Sequence, residues 1–93
     1  MFKIKYKKAL ETLLININEL KKHKNTDVIY AQLLVCVGGE NYGLMRKRVL
    51  ENIDTAKANC EYQLVLALET ILLNIDDIEN LVLMEHIRRL TEE

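Results

Sequence analysis

The chain has no proline, no serine and only three glycines among its 93 residues. Proline and glycine interrupt regular structure most strongly, whereas the abundant Leu, Ile, Lys and Glu favour helix. The sequence therefore predicts an all-α protein whose helices are joined by short connections. A chain of this length forms one domain, residues 1–93, with a single hydrophobic core and little room for a catalytic cleft. The lack of serine also excludes a serine nucleophile.

Histidine and cysteine, which are frequent in catalytic and metal sites, are also scarce. His23 and His86 have no companion at helical spacing, and Cys36 and Cys60 lie far apart among apolar neighbours. No group of these residues has the spacing of a zinc site, and Gly38-Gly39-Glu40 lacks the lysine of a phosphate-binding loop. We therefore expect no enzymatic activity, no cofactor and no metal. Both cysteines are expected to be reduced thiols in the core of a cytosolic protein, with a disulfide as the alternative.

Long apolar runs are missing as well. The basic N-terminus, Met1 to Lys8, is not followed by an apolar stretch free of charge, which argues against a signal peptide. The longest apolar stretch, Leu64 to Ile75, is broken by polar residues and is too short to span a bilayer. We therefore expect a cytoplasmic protein with no membrane partner.

Apolar residues recur at the three- and four-residue spacing of amphipathic helices, which predicts a small antiparallel bundle of four to five helices. Capping residues and glycines indicate where the first three helices begin and end. In chain order, the expected boundaries are a first helix from about Lys3 to Lys24, a turn and N-cap at Asn25-Thr26-Asp27, a C-cap at Gly38-Gly39, a third helix starting near Glu40 or Asn41, and a break over Lys57 to Asn59.

The fourth expected helix, about Cys60 to Ile75, is apolar nearly all round, which is typical of a helix in the middle of a bundle. Asp76 or Asp77 is expected to cap a fifth and last helix. The residues expected in the core are the apolar ones that recur on one face of each segment: Leu10, Leu14, Ile17, Leu33, Leu34, Leu50, Ile53, Leu68, Leu72 and Leu81.

Charge is divided unevenly along the chain. Residues 1–50 carry ten Lys or Arg against four acids, a net charge of +6, and residues 51–93 carry three against ten, a net charge of −7. One explanation is that surfaces of opposite charge attract each other within the fold, or that the charges serve only to keep the protein soluble. The functional alternative is that the acidic half binds a basic partner.

The basic half also suggests nucleic-acid binding as a second interpretation. Its candidate phosphate contacts are Lys3, Lys5, Lys7 and Lys8, which lie beside Phe2 and Tyr6, and Arg46, Lys47 and Arg48 on the third expected helix. The helices around Gly38-Gly39 superficially suggest a helix-turn-helix. However, the third helix lacks a run of base-reading side chains in its first turn, and the acidic half opposes phosphate. Nucleic acid is therefore the less favoured partner.

The segment from Cys60 to Thr70 resembles a known group of proteins. Glu61-Tyr62, followed by Leu-Ala-Leu-Glu-Thr at residues 66–70 and an Asn-Ile ending, is similar to small helical bacterial immunity proteins of the MafI-like and contact-dependent-inhibition type. These proteins are encoded beside secreted nuclease toxins. The motif covers about one helix, and Cys60 stands where those families usually have glycine.

This resemblance implies a cytosolic inhibitor that binds one toxin domain with a basic surface and blocks it by occlusion. An acidic inhibitor face suits that role because it competes with phosphate and speeds encounter. Glu61 belongs to the implied surface, and Tyr42 and Tyr62 are the expected aromatic anchors. The acids expected there are Asp76, Asp77, Glu79, Glu85, Glu92 and Glu93. A homodimer is an alternative, because the fourth helix has more apolar surface than short neighbours can cover.

Overall fold

Residues 1–92 form four α-helices and one short 3-10 turn. The computed structural model of the chain describes residues 1–92. The helices are α1 (Phe2–Glu19), α2 (Asp27–Gly38), α3 (Tyr42–Ala58) and α4 (Tyr62–Glu92), and the 3-10 turn Leu20–Lys22 follows α1 directly. The predicted all-α bundle is confirmed. Within residues 1–92, none of the helices is both long and apolar enough to cross a membrane.

The longest helix, α4, lies between α1 and α3 and packs along both. Phe2 at the start of α1 lies beside Arg88 near the end of α4, whereas Asn16 further along α1 donates a hydrogen bond of 2.6 Å to Asn74. The two helices are therefore antiparallel. The shorter α2 packs mainly against α3. The molecule measures 51 × 20 × 20 Å, and α4 alone spans about 46 Å at 1.5 Å per residue.

The core is one cluster of buried apolar side chains from all the helices. Four of the predicted core residues are buried: Ile17, Leu33, Ile53 and Leu68. Four more are half-buried: Leu10, Leu14, Leu72 and Leu81. The prediction was wrong for Leu34 and Leu50, which are 38% and 44% exposed. In α2 and α3 the buried positions are their neighbours Leu33 and Val49, so Leu34 and Leu50 turn toward solvent.

No fifth helix starts at Asp76 or Asp77 within the described chain, because α4 continues through both residues to Glu92. The predicted break was wrong. Ile71, Ile75 and Ile78 are fully buried on one side of α4, so core packing continues across the aspartates. Asp76 also pairs with Arg46 of α3, which offsets its low helix propensity.

The connection before α2 is fixed by a buried threonine. Thr26 precedes α2 as predicted, but its hydroxyl does not cap that helix. It donates instead to the carbonyl oxygens of Leu20 at 2.6 Å and His23 at 3.0 Å. These bonds satisfy the backbone where the first helix ends, five residues before the predicted end at Lys24.

The turns after α2 and α3 have the same geometry. The amides of Glu40 and Asn41 donate to Val37 and Cys36, and those of Cys60 and Glu61 donate to Lys57 and Ala56, as in the Schellman motif. The left-handed residues are Glu40 and Cys60, with φ of 52° and 57°.

Both cysteines are free, and Cys36 is buried as expected. Cys60 is exposed, so its predicted place in the core was wrong, because the turn directs it to solvent.

Candidate protein-binding surface

Two of the predicted partner-binding acids are already paired within the chain. Asp76 and Glu79 lie one turn apart on α4, and both contact the guanidinium of Arg46, Asp76 at 2.5 Å. Hydrogen bonds first to Glu79 and then to Asp76 raise the pKa of Arg46. The charge of both carboxylates is therefore partly compensated by α3.

Two further predicted acids belong to an ion-pair network near the end of α4. Arg88 bonds to Glu85 at 2.6 Å and to Glu92 at 2.7 Å, and Arg89 bonds to Glu85 at 3.2 Å. Hydrogen bonds from Arg88 and Arg89 lower the pKa of Glu85 to about 2. Glu93, also predicted, lies outside the described residues.

Tyr42 is not the exposed anchor that was predicted. It is the first residue of α3 and is only 8% exposed. Its hydroxyl forms a hydrogen bond with that of Tyr6 on α1. Burial, followed by the hydrogen bond to Tyr6, raises the pKa of Tyr42 above its ordinary value. Tyr42 therefore joins α1 to α3 inside the fold.

The Tyr42→Phe variant is expected to change how stability responds to alkali. The unfolded phenol loses its proton near pH 10, whereas the folded phenol keeps it to higher pH. The stability due to neutral Tyr42 is thus complete below about pH 10 and falls as pH rises, by at most ~1.4 kcal/mol per pH unit. Tyr42→Phe should remove this part of the decline in the free energy of unfolding. Equal declines in the two proteins above pH 10 would contradict it.

The other predicted residues meet on the outer side of α4, where we define an acidic face made of Glu61, Tyr62, Leu66, Glu69, Leu73 and Asp77. Tyr62, Leu66 and Leu73 are 64%, 60% and 64% exposed. From Tyr62 onward, successive members lie three or four residues apart, which places them along one side of α4, and Glu61 immediately precedes the helix. Among residues 1–92, Glu61, Glu69 and Asp77 form no salt bridge. The acidic face thus combines exposed apolar side chains with uncompensated carboxylates.

Leu66, Glu69 and Leu73 were missed as members of this surface. Leu66 and Leu73 lie in the segment that was expected in the middle of the bundle because it is apolar nearly all round. A signal was present, since their spacing from Tyr62 differs from that of the core residues Leu68 and Ile75. The exposed stripe can be told from the buried one only when the number of helices that pack around α4 is known. The sequence pattern alone does not give that number.

The basic residues of the second interpretation are distributed over two helices. Lys3, Lys5, Lys7 and Lys8 are all exposed on the first turns of α1. On α3, Arg46 turns to α4 and Arg48 lies 3.7 Å from Glu51, whereas Lys47 is exposed. Nucleic-acid binding through these residues stays a prediction.

No group of three or more His, Cys, Asp or Glu side chains within residues 1–92 is placed to hold a metal ion. A scan against protein-family models, a search of curated proteins and a search of solved structures each found no match to the chain. The similarity of residues 60–70 to immunity proteins therefore stays a prediction, and the acidic face is the feature on which a function can be argued.

Proposed function

We propose that the chain is a non-enzymatic binding protein of the immunity type, which neutralises a bacterial toxin domain by covering its basic surface with the acidic face. The observation that carries this proposal is the exposure of Tyr62, Leu66 and Leu73 beside three uncompensated carboxylates. These three side chains expose roughly 300 Å² of apolar surface, a patch size that is often functional on a small protein.

The composition of the acidic face suits tight binding to a cationic protein. Affinity from a small interface depends on a desolvated anchor, and tyrosine is among the residues that most often fill that role. Tyr62 stands at the first position of α4. Glu69 lies between Leu66 and Leu73, and Asp77 lies one turn after Leu73, on a helix that is packed against two neighbours. A partner therefore meets charges whose positions are already fixed, which lowers the entropic cost of binding.

The proposed mechanism is occlusion. Nuclease domains bind phosphate through basic surfaces, and an acidic protein that binds there excludes the substrate without chemical turnover. Opposite charges also accelerate the encounter of the two proteins. In this mechanism the partner binds to α4 and to Glu61 just before it, and the exposed residues of α1 and α2 are not required.

Charge reversal of the acidic face tests the proposal. Glu69→Lys with Asp77→Lys should slow association with the toxin domain encoded in the adjacent reading frame, by roughly tenfold or more at low salt. The same variant should weaken the salt dependence of the association rate. We expect the circular-dichroism spectrum to remain unchanged, because Glu69 and Asp77 are exposed and form no ion pair with residues 1–92.

The matched control is Glu11→Lys with Asp54→Lys, which changes the net charge equally at exposed positions on α1 and α3. This control should bind like the wild-type protein. If both variants are slowed equally, the acidic face is not the binding site. If the wild-type protein neither protects cells from the toxin domain nor co-elutes with it in size-exclusion chromatography, the immunity assignment is wrong.

A further inference from the structure

The outer side of α4 carries a pattern that is longer than the acidic face. Nine positions from 62 to 90 are separated alternately by four and three residues, which is the spacing of a coiled-coil seam. Eight of the nine side chains are exposed, and six are large and apolar. We name these positions the α4 seam: Tyr62, Leu66, Glu69, Leu73, Asp76, Asn80, Leu83, Ile87 and Leu90.

Apart from Asp76, which pairs with Arg46 of α3, the α4 seam is separate from the surface that α4 uses within its own fold. The fully buried residues of α4 are Leu68, Ile71, Ile75 and Ile78, and they lie on the side facing α1 and α3. The apolar seam residues are 47% to 64% exposed. α4 therefore has two apolar stripes, and the fold covers only one.

We propose that two copies of the chain associate through the α4 seam, with their α4 helices antiparallel. Burying Tyr62, Leu66, Leu73, Leu83 and Ile87 in each copy, at about 100 Å² per side chain, removes roughly 1,000 Å² of apolar surface from solvent, which is about the minimum that a specific protein interface needs. The seam runs for most of the 51 Å length of the molecule, so the contact is continuous.

Charge determines whether the α4 helices of the two copies run parallel or antiparallel. In a parallel pair, Glu69 would face Glu69 and Asp76 would face Asp76 of the second copy, and such like-charge layers are destabilising. An antiparallel pair with Leu66 opposite Leu83 avoids the glutamate layer. It also places Tyr62 opposite Ile87 of the second copy.

Two further layers of this register match in chemistry. Asn80 lies opposite Glu69, so the amide of Asn80 can donate a hydrogen bond to that carboxylate. Glu61, just before the seam, lies opposite Arg88 of the second copy. Leu73 and Asp76 face each other without such a match, but Asp76 retains its ion pair with Arg46. The antiparallel register therefore combines apolar layers with complementary polar ones.

This inference does not rest on the proposed function. The two are linked, however, because the acidic face shares Tyr62, Leu66, Glu69 and Leu73 with the seam. A toxin domain and a second copy cannot occupy one copy's seam together. The dimer is then the form of the free protein, and it dissociates when the toxin domain binds.

Sedimentation equilibrium of the full chain, without any toxin, tests the association. The wild-type protein at micromolar concentration should have twice the monomer mass of 10.8 kDa. Leu66→Glu with Leu83→Glu should restore the monomer mass with an unchanged circular-dichroism spectrum. The control, Ile15→Glu with Val35→Glu, changes side chains that are 62% and 75% exposed away from the seam and should remain dimeric. A monomeric wild-type protein, or a dimer that survives the seam variant, overturns the proposal.

Disulfide formation tests the register in a Cys60→Ala background, in which the buried Cys36 is the only native cysteine. Leu66→Cys alone and Leu83→Cys alone should not cross-link under mild oxidation, because neither position faces itself. The double variant should form covalent dimers. Efficient cross-linking of either single variant would indicate a parallel pair, and no cross-linking in the double variant would place the interface elsewhere; either result overturns the proposed arrangement.

Discussion

Replacing Leu68 with alanine is expected to lower the free energy of unfolding by about 3–5 kcal/mol. Leu68 is completely buried and lies on the side of α4 that packs against α1 and α3. Truncation removes the transfer free energy of the side chain and leaves a cavity, since long helices packed on both sides cannot close around the gap. A domain of this size has a total stability of about 5–10 kcal/mol, so the variant should be near its unfolding limit.

Urea denaturation followed by circular dichroism measures this effect, at one fixed protein concentration because self-association would add to the apparent stability. Ile15→Ala is the control, since Ile15 is 62% exposed on α1, and its effect should be within about 0.5 kcal/mol. Leu72→Ala, at a half-buried position, should fall between the two. A near-neutral Leu68→Ala would show that α4 does not pack as described.

The bundle and the turns between α2, α3 and α4 were predictable because their signals are local. The N-cap at Asn41 illustrates this, since its side chain accepts a hydrogen bond of 3.1 Å from the amide of Leu44. Gly39 is the C-cap of α2 as expected. An amphipathic repeat interrupted by a capping residue has much the same meaning in any tertiary context.

The prediction failed where a distant residue decides the local structure. Asp76-Asp77 is typical of a helix start, and nothing near it in the sequence opposes that interpretation. The opposing groups are Arg46, thirty residues earlier, and the core into which Ile75 and Ile78 pack. Tyr42 was misplaced for the same reason, because its partner Tyr6 lies on another helix. These contacts are tertiary and leave no local pattern.

The candidate surface was only half predictable. Glu61, Tyr62 and Asp77 were chosen from the sequence and are exposed, Glu61 just before α4 and the other two on it. The leucines between them were not assigned to a surface, because they lie in a segment that is apolar nearly all round and was expected in the middle of the bundle. An apolar stripe looks the same whether it meets the protein's own helices or a partner's. Only the number of neighbours around α4 distinguishes the two cases. The fold provides two, which leaves the outer side open.

A proline at position 77 is expected to destabilise the protein by roughly 3 kcal/mol or more, because α4 is one continuous helix. Asp77→Pro removes the backbone hydrogen bond from residue 77 to the carbonyl of Leu73, and the proline ring clashes with that carbonyl. Proline also disfavours helical geometry at Asp76. Asp77 is exposed and forms no salt bridge with residues 1–92, so the loss reports on the backbone and not on a missing side-chain contact.

Tyr62→Pro is the matched control, since it introduces the same residue at the first position of the same helix. The amide there has no partner within the helix, and proline is favoured at that position. At a protein concentration low enough for the chain to be monomeric, where the seam contact of Tyr62 does not contribute, we expect Tyr62→Pro to preserve the helical content and to change the free energy of unfolding by less than about 1 kcal/mol. Asp77→Pro should lose both helical signal and cooperativity in urea denaturation. If instead the two variants are equally stable, a helix boundary lies at residues 76–77, and the second half of the α4 seam would not be continuous with the first.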